Sequence, residues 1–181
     1  MGIKIYDHGY LVEVEFEDIR KLHGIRAYMA IGVGYRIVQA AMRELGGDSI
    51  VSREDIQVIS GHGGPGFRDA IEFVTRAKTR GEYTVDPTYP EAQYDPHRPT
   101  GYVYIFTNKH EETVQVTLNE DFLPPIFYDY LLKGREESFT SEEYDHNEAL
   151  KKELCFKALE MEESELITIK RIPTPEIHKA K

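Results

Sequence analysis

The chain has 181 residues, of which 40% are hydrophobic, and it carries a formal net charge of −10. This composition suits one folded domain with one core and argues against nucleic acid as a partner, because phosphate binding needs clustered Lys and Arg. No apolar run approaches the roughly 20 residues of a membrane helix, and no secretory signal is visible. Cys155 is the only cysteine. We interpret it as a buried thiol and expect a reducing, cytoplasmic location with no membrane contact.

The first third of the sequence predicts one long helix. Residues 10–16 alternate only partly and fit either a short strand or the lead-in to a helix. From 28 to 45, apolar and small residues recur at i, i+4, which is typical of a helix with one broad buried face. Gly46-Gly47 supplies its stop. Gly32 and Gly34 cost helix stability, so we expect another backbone or a partner subunit to approach the helix there.

A strand, a glycine-rich turn and a second helix follow. Residues 55–60 predict the strand, and the sequence Gly-His-Gly-Gly-Pro-Gly at 61–66 leads into a helix from 68 to 78. The stretch 83–100 holds four prolines and three tyrosines. We interpret it as a long ordered loop, which is of interest because long connections in compact domains are often functional.

An antiparallel hairpin comes next. Residues 102–106 and 113–118 alternate with period two on either side of a polar connection, which predicts two paired strands. Pro124-Pro125 then predicts the start of a short helix that ends near Gly134.

The last third predicts a helix, a strand and a polar tail. Asn147 can cap a helix that runs to Leu159, and 166–172 reads as a strand. We expect 173–181 to be a loose polar tail and 1–172 to be one domain. Helices and hairpin strands are mixed without regular βαβ alternation, so we predict an α+β domain with a mixed or antiparallel sheet packed with helices.

Three segments carry a family resemblance: 22–36, 66–75 and 158–175. The first, Leu-His-Gly-Ile-Arg-Ala-Tyr-Met-Ala-Ile-Gly-Val-Gly-Tyr-Arg, is similar to a motif that begins His-Gly-His, continues through Cys-Pro-Gly and enters a helix with Gly-Tyr-Arg. The second resembles an Asp-Ala-Ile-Gln segment that follows a cysteine. The third is similar to a closing helix, strand and proline-containing exit. In this order the segments resemble the family of the E subunit of formylmethanofuran dehydrogenase, which implies an E-subunit-like fold.

The resemblance also implies that most of the family's metal ligands are replaced. His23 matches the first histidine of the motif, but the second falls on Ile25 and the two cysteines fall on Ala27 and Gly66. With one cysteine, the sequence shown has no thiolates for the zinc ribbon that many members carry. Only His23 transfers as a metal ligand, so the resemblance implies a degenerate site. The alternative for His23 is that it braces the entry to the long helix.

The glycine-rich turn is the second candidate site. Gly63, Gly64 and Gly66 let the backbone approach a ligand, and the helix that follows favours a small anionic ligand at its N-terminus. The alternative is a tight strand-to-helix turn without a ligand. His62 can replace the lost cysteine, and together with His23 it would hold zinc or nickel weakly, because typical zinc sites have three or four protein ligands.

Asp69 and Thr75 match family positions that are either structural or pocket-lining, and we count both as candidate ligand-binding residues. We expect Asp69 in the first turn of the second helix, where a carboxylate is favoured. If Asp69 lies in that first turn, loss of its carboxylate would harm folding more than it would harm the chemistry of the site.

Two functional hypotheses remain open. The first is an accessory or ligand-binding protein whose degenerate metal site binds a metal weakly or a small anion. The second is an enzyme with a rebuilt site, in which His23 or His62 is the acid–base group and acts on a small carbonyl or C1-type substrate. They differ in whether both histidines and a carboxylate converge in one cleft. The glycines at 32 and 34 and the tyrosine-rich loop also predict a homodimer.

Overall fold

The computed structural model describes residues 1–179, which form a two-stranded hairpin and a five-stranded sheet packed with helices. The strands are β1 (Ile3–Asp7), β2 (Tyr10–Val14), β3 (Gln57–Ser60), β4 (Tyr83–Val85), β5 (Val103–Thr107), β6 (Thr113–Leu118) and β7 (Ile167–Ile172). The helices are α1 (Phe16–His23), α2 (Tyr28–Gly46), α3 (Pro65–Thr75), α4 (Pro125–Glu136), α5 (Ser141–Glu160) and α6 (Glu163–Leu166). Short 3-10 turns lie at Arg53–Asp55, Glu120–Phe122 and Glu176–His178.

The larger sheet has the strand order β4-β3-β5-β6-β7. β4 runs parallel to β3, and all other neighbours are antiparallel. The β5–β6 pair confirms the predicted hairpin. A mixed sheet packed with helices in one domain confirms the α+β prediction, and no helix in the described part of the chain is long and apolar enough to cross a membrane.

Helix α2 lies at the centre of the core and confirms the long helix predicted from the i, i+4 pattern. Side chains on nearly all of its faces are buried, including Ile31, Val33 and Ile37, which have no exposed surface. The helix ends at Gly46, and Gly47 turns the chain with φ of +56°. An L-amino acid with a side chain rarely adopts that angle, which explains the glycine stop.

The two glycines inside α2 allow close contact with helices of the same chain. A Cβ atom at Gly32 would lie 2.6 Å from Sγ and 3.1 Å from the carbonyl oxygen of Cys155 on α5. A Cβ at Gly34 would lie 2.8 Å from Cβ of Ala70 on α3. The expected close approach is therefore found within the chain, and the glycines no longer argue for a partner subunit. The homodimer stays a prediction that rests on the tyrosine-rich loop.

That loop packs against the sheet and is shorter than predicted, because its first residues form β4. The ring of Tyr94 stacks on Tyr102, with centroids 6.1 Å apart, and its hydroxyl donates to the carbonyl of Leu118 at 2.9 Å. The hydroxyl of Tyr89 donates to Oε1 of Gln115 at 3.2 Å. The 83–100 stretch is thus ordered, as predicted, with two of its tyrosines directed inward.

The structure resolves one ambiguous segment and moves the starts of two predicted helices. The ambiguous segment 10–16 contains both alternatives, because Tyr10–Val14 form strand β2 and α1 begins at Phe16 after the cap residue Glu15. Helix α3 begins at Pro65 rather than 68, since proline is favoured at the first helical position. Helix α5 begins at Ser141, where Thr140 and Glu143 form a capping box. The predicted cap at Asn147 is therefore wrong, and this residue is buried inside the helix.

The segment after β7 is attached to the sheet and is not loose in its described part. Nδ1 of His178 lies 2.8 Å from Oγ1 of Thr107, and His178 is buried. Oγ1 of Thr174 lies 2.9 Å from Oγ1 of Thr113. Polar residues at 173–179 thus pack through hydrogen bonds rather than apolar contacts, which is why their composition suggested a free tail. Residues 180 and 181 lie outside the described residues.

We predict that Gly32→Ala lowers the free energy of unfolding by about 1–3 kcal/mol, the range for overpacking a core. The added methyl group meets the sulfur and backbone of Cys155, which cannot move without shifting α5. Chemical denaturation would measure the loss. Gly46→Ala in the same helix is the control, because its nearest contact would be 3.8 Å away and no loss is expected. Equal stability of the two variants would contradict the proposed packing constraint.

Candidate functional site

His23 and Asp69 form a hydrogen-bonded pair where α1 meets α3. Nδ1 of His23 lies 2.7 Å from Oδ2 of Asp69, and their side chains are 7% and 24% exposed. The other carboxylate oxygen of Asp69 accepts from Nε of Arg68 at 3.0 Å. With a carboxylate at Nδ1, the neutral ring carries its proton there and has its lone pair on Nε2. A histidine oriented in this way can bind a metal or act as a base through Nε2.

Asp69 lies one turn further into α3 than the sequence pattern predicted. Because the helix begins at Pro65, Asp69 falls in the second turn, so stabilisation of the helix N-terminus does not explain it. Its contact with His23 does give it a role, which is to fix the orientation of the imidazole.

The two positions to which the resemblance assigned cysteines are neighbours in space. A Cβ atom at Gly66 would lie 2.9 Å from Cβ of Ala27 and 2.6 Å from Cβ of Ala30. The starts of α2 and α3 therefore approach each other through small apolar groups. These two positions offer no ligand atom, and a side chain at position 66 would need the helices to separate.

His62 is buried in an aromatic environment. Its residue exposure is 7%, and its ring centroid lies 4.8 Å from that of Phe67 and 5.0 Å from that of Tyr102. Burial, with a smaller effect of Arg98, lowers the pKa of His62 to about 3. The ring is therefore neutral near pH 7 and brings no positive charge to the glycine-rich turn. It is also unsuited to act as a general acid there.

The glycine-rich turn fits closely around His62. The amide of Gly64 donates to Nδ1 of His62 at 2.8 Å, and a Cβ at Gly64 would lie 2.5 Å from Cε1 of the same ring. A Cβ at Gly63 would meet only Val85, at 3.6 Å. The amide of Gly64 is thus already used inside the protein, as expected for a tight strand-to-helix turn. Ligand binding by Gly63, Gly64 and Gly66 stays a prediction.

Thr75 supports the end of α3. The residue has no exposed surface. Its hydroxyl donates to the carbonyl of Ile71 at 2.8 Å and accepts from the amide of Ala77 at 3.2 Å. Both contacts are local, so the hydroxyl of Thr75 is used in ending the helix.

A further cluster, which the sequence did not predict, lies elsewhere. Among residues 1–179, one set of three metal-ligating side chains has its ligand atoms within 4.8 Å of one another, and it consists of Asp7, His8 and Glu54. Neither His23 nor His62 belongs to such a set. The sequence signal was an Asp-His-Gly turn, but the third residue is 46 positions away.

Comparison with known proteins supports the fold. The chain is similar to the crystal structure of a tungsten formylmethanofuran dehydrogenase E-subunit (FmdE)-like protein from Syntrophus aciditrophicus, with a TM-score of 0.54 and 16% sequence identity. The similarity covers 100% of this chain and 81% of that one. No protein-family model and no curated protein matches the sequence. At this identity the likeness shows a shared fold and does not establish a shared chemistry.

We predict that His62 makes stability depend on pH between about 3 and 6.5. In that window the unfolded chain binds a proton at this residue and the folded chain does not, so the contribution of His62 to stability is fully present above pH 6.5 and decreases as the pH falls. In His62→Gln the slope of unfolding free energy against pH should be smaller by up to about 1.4 kcal/mol per pH unit. Denaturation at several pH values measures this slope. His110→Gln, which removes an exposed histidine, is the control, and identical slopes for His62→Gln and wild type would contradict the burial effect.

Proposed function

We propose that this chain is a ligand-binding or accessory protein with an E-subunit-like fold, and that Nε2 of His23 is its main ligand atom. The observation that supports the proposal most is the 2.7 Å contact between Nδ1 of His23 and Asp69. Histidines that bind metals usually donate their other ring N–H to a carboxylate or carbonyl. The accessory part of the proposal rests on the structural neighbour, which is named as similar to a dehydrogenase subunit.

The ligand that suits this site best is a weakly held zinc or nickel ion. Imidazole nitrogen is a good donor for both metals. Ala27 and Gly66 contribute no ligand atom, and His62 is engaged with Gly64. The site therefore offers fewer than the three or four protein ligands of a typical zinc centre, and the affinity should be low.

A small anion is the less favoured ligand for the region. The neutral ring of His62 does not attract negative charge, and the Gly64 amide is already paired. Arg68 is partly exposed beside Asp69, but its Nε donates to that carboxylate. The anion hypothesis thus depends on the remaining amides at the start of α3.

The second candidate function is acid–base catalysis by His23. The same contact with Asp69 would hold the imidazole in one orientation with Nε2 available to a substrate. Among the described residues, Asp69 is the hydrogen-bond partner of His23, so no hydroxyl or thiol nucleophile is paired with the ring. An acid–base role would therefore be confined to proton transfer on a bound substrate, such as a small carbonyl compound.

We predict that His23→Ala weakens Ni²⁺ binding at this site by about tenfold or more, and that Asp69→Asn weakens it by roughly 10–100-fold through loss of orientation. Line broadening of the His23 imidazole NMR signals by paramagnetic Ni²⁺ reports this site alone in the wild type. Calorimetry of chelator-treated protein that also carries His8→Asn gives the affinity of each variant without a contribution from the cluster of Asp7, His8 and Glu54.

The matched control is His97→Ala. His97 also pairs with a carboxylate, since its Nε2 lies 3.1 Å from Oδ1 of Asp129, but this pair is more exposed. Its removal should leave the His23 signals and their response to Ni²⁺ unchanged. Absence of Ni²⁺ broadening at His23, or unchanged affinity in His23→Ala, would contradict the proposal.

A further inference from the structure

A hairpin turn and a 3-10 turn that is distant in the sequence bring three potential metal ligands together, and His23 is not one of them. Asp7 pairs with Tyr10 across the β1–β2 hairpin, so His8 and Gly9 form a two-residue turn. Both turn residues have positive φ, +47° and +85°, as a type I′ turn requires. The imidazole of His8 is thus carried on a tight turn and not on a long loop.

The third ligand, Glu54, is held beside this turn by backbone contacts. The amide of Tyr6 donates to the carbonyl of Val51 at 2.9 Å, which joins strand β1 to the segment that leads to Glu54. The carbonyl of Glu54 accepts from Arg80 at 3.0 Å. The amide of His8 donates to Oε1 of Glu54. The three side chains therefore meet because two separate backbone segments are fastened together.

The distances are those of hydrogen bonds, and they are slightly shorter than the separations between the ligand atoms of a metal site. Nδ1 of His8 lies 2.9 Å from Oδ1 of Asp7 and 2.9 Å from Oε1 of Glu54. In a tetrahedral zinc site with metal–ligand bonds of about 2.0–2.2 Å, neighbouring ligand atoms are roughly 3.3–3.5 Å apart. An increase of about 0.5 Å in the distance between these ligand atoms would make room for the ion.

A surface ion pair explains this arrangement less well. A protonated imidazole has N–H groups on opposite sides of the ring, and two carboxylates are best placed at one each. Here Oδ1 of Asp7 and Oε1 of Glu54 both lie 2.9 Å from Nδ1 of His8, and Oε1 of Glu54 also accepts from the amide of His8. A single N–H cannot point directly at both oxygens, whereas one cation between the three atoms would use a lone pair from each.

The contacts around the carboxylates are those of oriented ligands. Oδ2 of Asp7 lies 3.4 Å from Arg53, which leaves Oδ1 to His8. Arg53 is itself fixed, because it donates to the carbonyls of Val74 at 2.9 Å and Phe73 at 3.1 Å. Carboxylates that bind metals are commonly hydrogen-bonded in this way. The positive charge of Arg53 also offsets part of the negative charge, which limits the affinity.

The cluster opens to a cleft of about 480 Å³ that has space for water in the remaining coordination positions. The cleft is lined by Asp7, His8, Arg53, Glu54, Arg76, Thr79 and Arg80. One imidazole with two carboxylates suits zinc and similar transition-metal ions, whereas Mg²⁺ and Ca²⁺ prefer oxygen ligands alone. We propose that Asp7, His8 and Glu54 form a binding site for a zinc-class divalent ion at the β1–β2 turn, separate from His23.

The test is calorimetric titration of the chelator-treated full chain with Zn²⁺. His8→Asn is the key variant, since Asn-Gly is a favoured type I′ turn sequence, so the hairpin is kept while the imidazole is removed. Glu54→Gln keeps the shape of the third ligand and removes its charge. Each of these two substitutions should weaken Zn²⁺ binding by about tenfold or more, because loss of a direct ligand lowers the affinity at least as much as loss of a supporting contact does. Excess Mg²⁺ should not displace Zn²⁺.

Two control variants make the outcomes distinct. His110→Asn removes an exposed histidine elsewhere and should bind Zn²⁺ as the wild type does. His23→Ala should keep the binding that His8→Asn removes, and if only His23→Ala removes Zn²⁺ binding, this proposal fails while the proposed function stands. Wild-type affinity in His8→Asn and Glu54→Gln with unchanged melting temperatures would also overturn it. So would absence of Zn²⁺ binding by the wild type up to about 1 mM, which would leave a surface ion pair.

Discussion

The close packing of α2 against α3 and α5 is the constraint on which the rest of the structure depends. Gly32 and Gly34 remove the side chains that would hold these helices apart. Arg36, on the same helix, adds a polar contact, because its NH1 group lies 2.9–3.1 Å from three carbonyls at the end of α5, those of Ala158, Leu159 and Met161. One helix thus fixes the positions of two others.

The candidate site follows from this packing. Once α3 lies against α2 at Gly34, its first turn meets the start of α2, where Gly66 contacts Ala27. The next turn of α3 then carries Asp69 to His23 at the end of α1. The contact that orients the imidazole is therefore a consequence of helix packing. Small residues that close the space between the helices also leave His23 without nearby thiolates.

Cys155, the one cysteine of the sequence, is unsuited to bind a metal. Cys155 is buried against Gly32, and burial raises the pKa of its thiol to about 12. A thiol with such a pKa is protonated near pH 7, and the thiolate is the form that binds metals. The interpretation of Cys155 as a buried thiol is confirmed, and its part in the protein is to fill the contact between α2 and α5.

The sequence predicted the elements whose signals are periodic. The i, i+4 pattern of α2 and the period-two pattern of β5 and β6 each reflect burial of one face, which is a local property of the sequence. The wrong cap at Asn147 arose because two capping signals lie close together, and the Thr140–Glu143 box is the more complete of them. The start of α3 was missed although Pro65 marks it. Local rules therefore found the elements but not all of their ends.

The candidate sites were harder to predict because each joins distant parts of the chain. The family resemblance indicated that His23 and Asp69 belong to one region, but it did not predict that their side chains are in contact. No sequence pattern links His8 to Glu54, since their proximity depends on the contact between Tyr6 and Val51. His62 was assigned to a ligand site from its glycines, whereas its ring fills a space between Phe67 and Tyr102. A glycine-rich turn looks the same in sequence whether it surrounds a ligand or a side chain.

Exposure distinguishes the histidine–carboxylate contacts of this protein. The side chain of His23 is 7% exposed, so little water competes for Asp69 and the ring is held in one orientation. The side chain of His8 is 81% exposed, and a single carboxylate contact there would contribute little, because water screens it. Two carboxylates and a fixed turn are needed to hold that ring. One contact therefore orients the buried ring of His23, whereas the exposed ring of His8 has two carboxylate contacts and a tight turn.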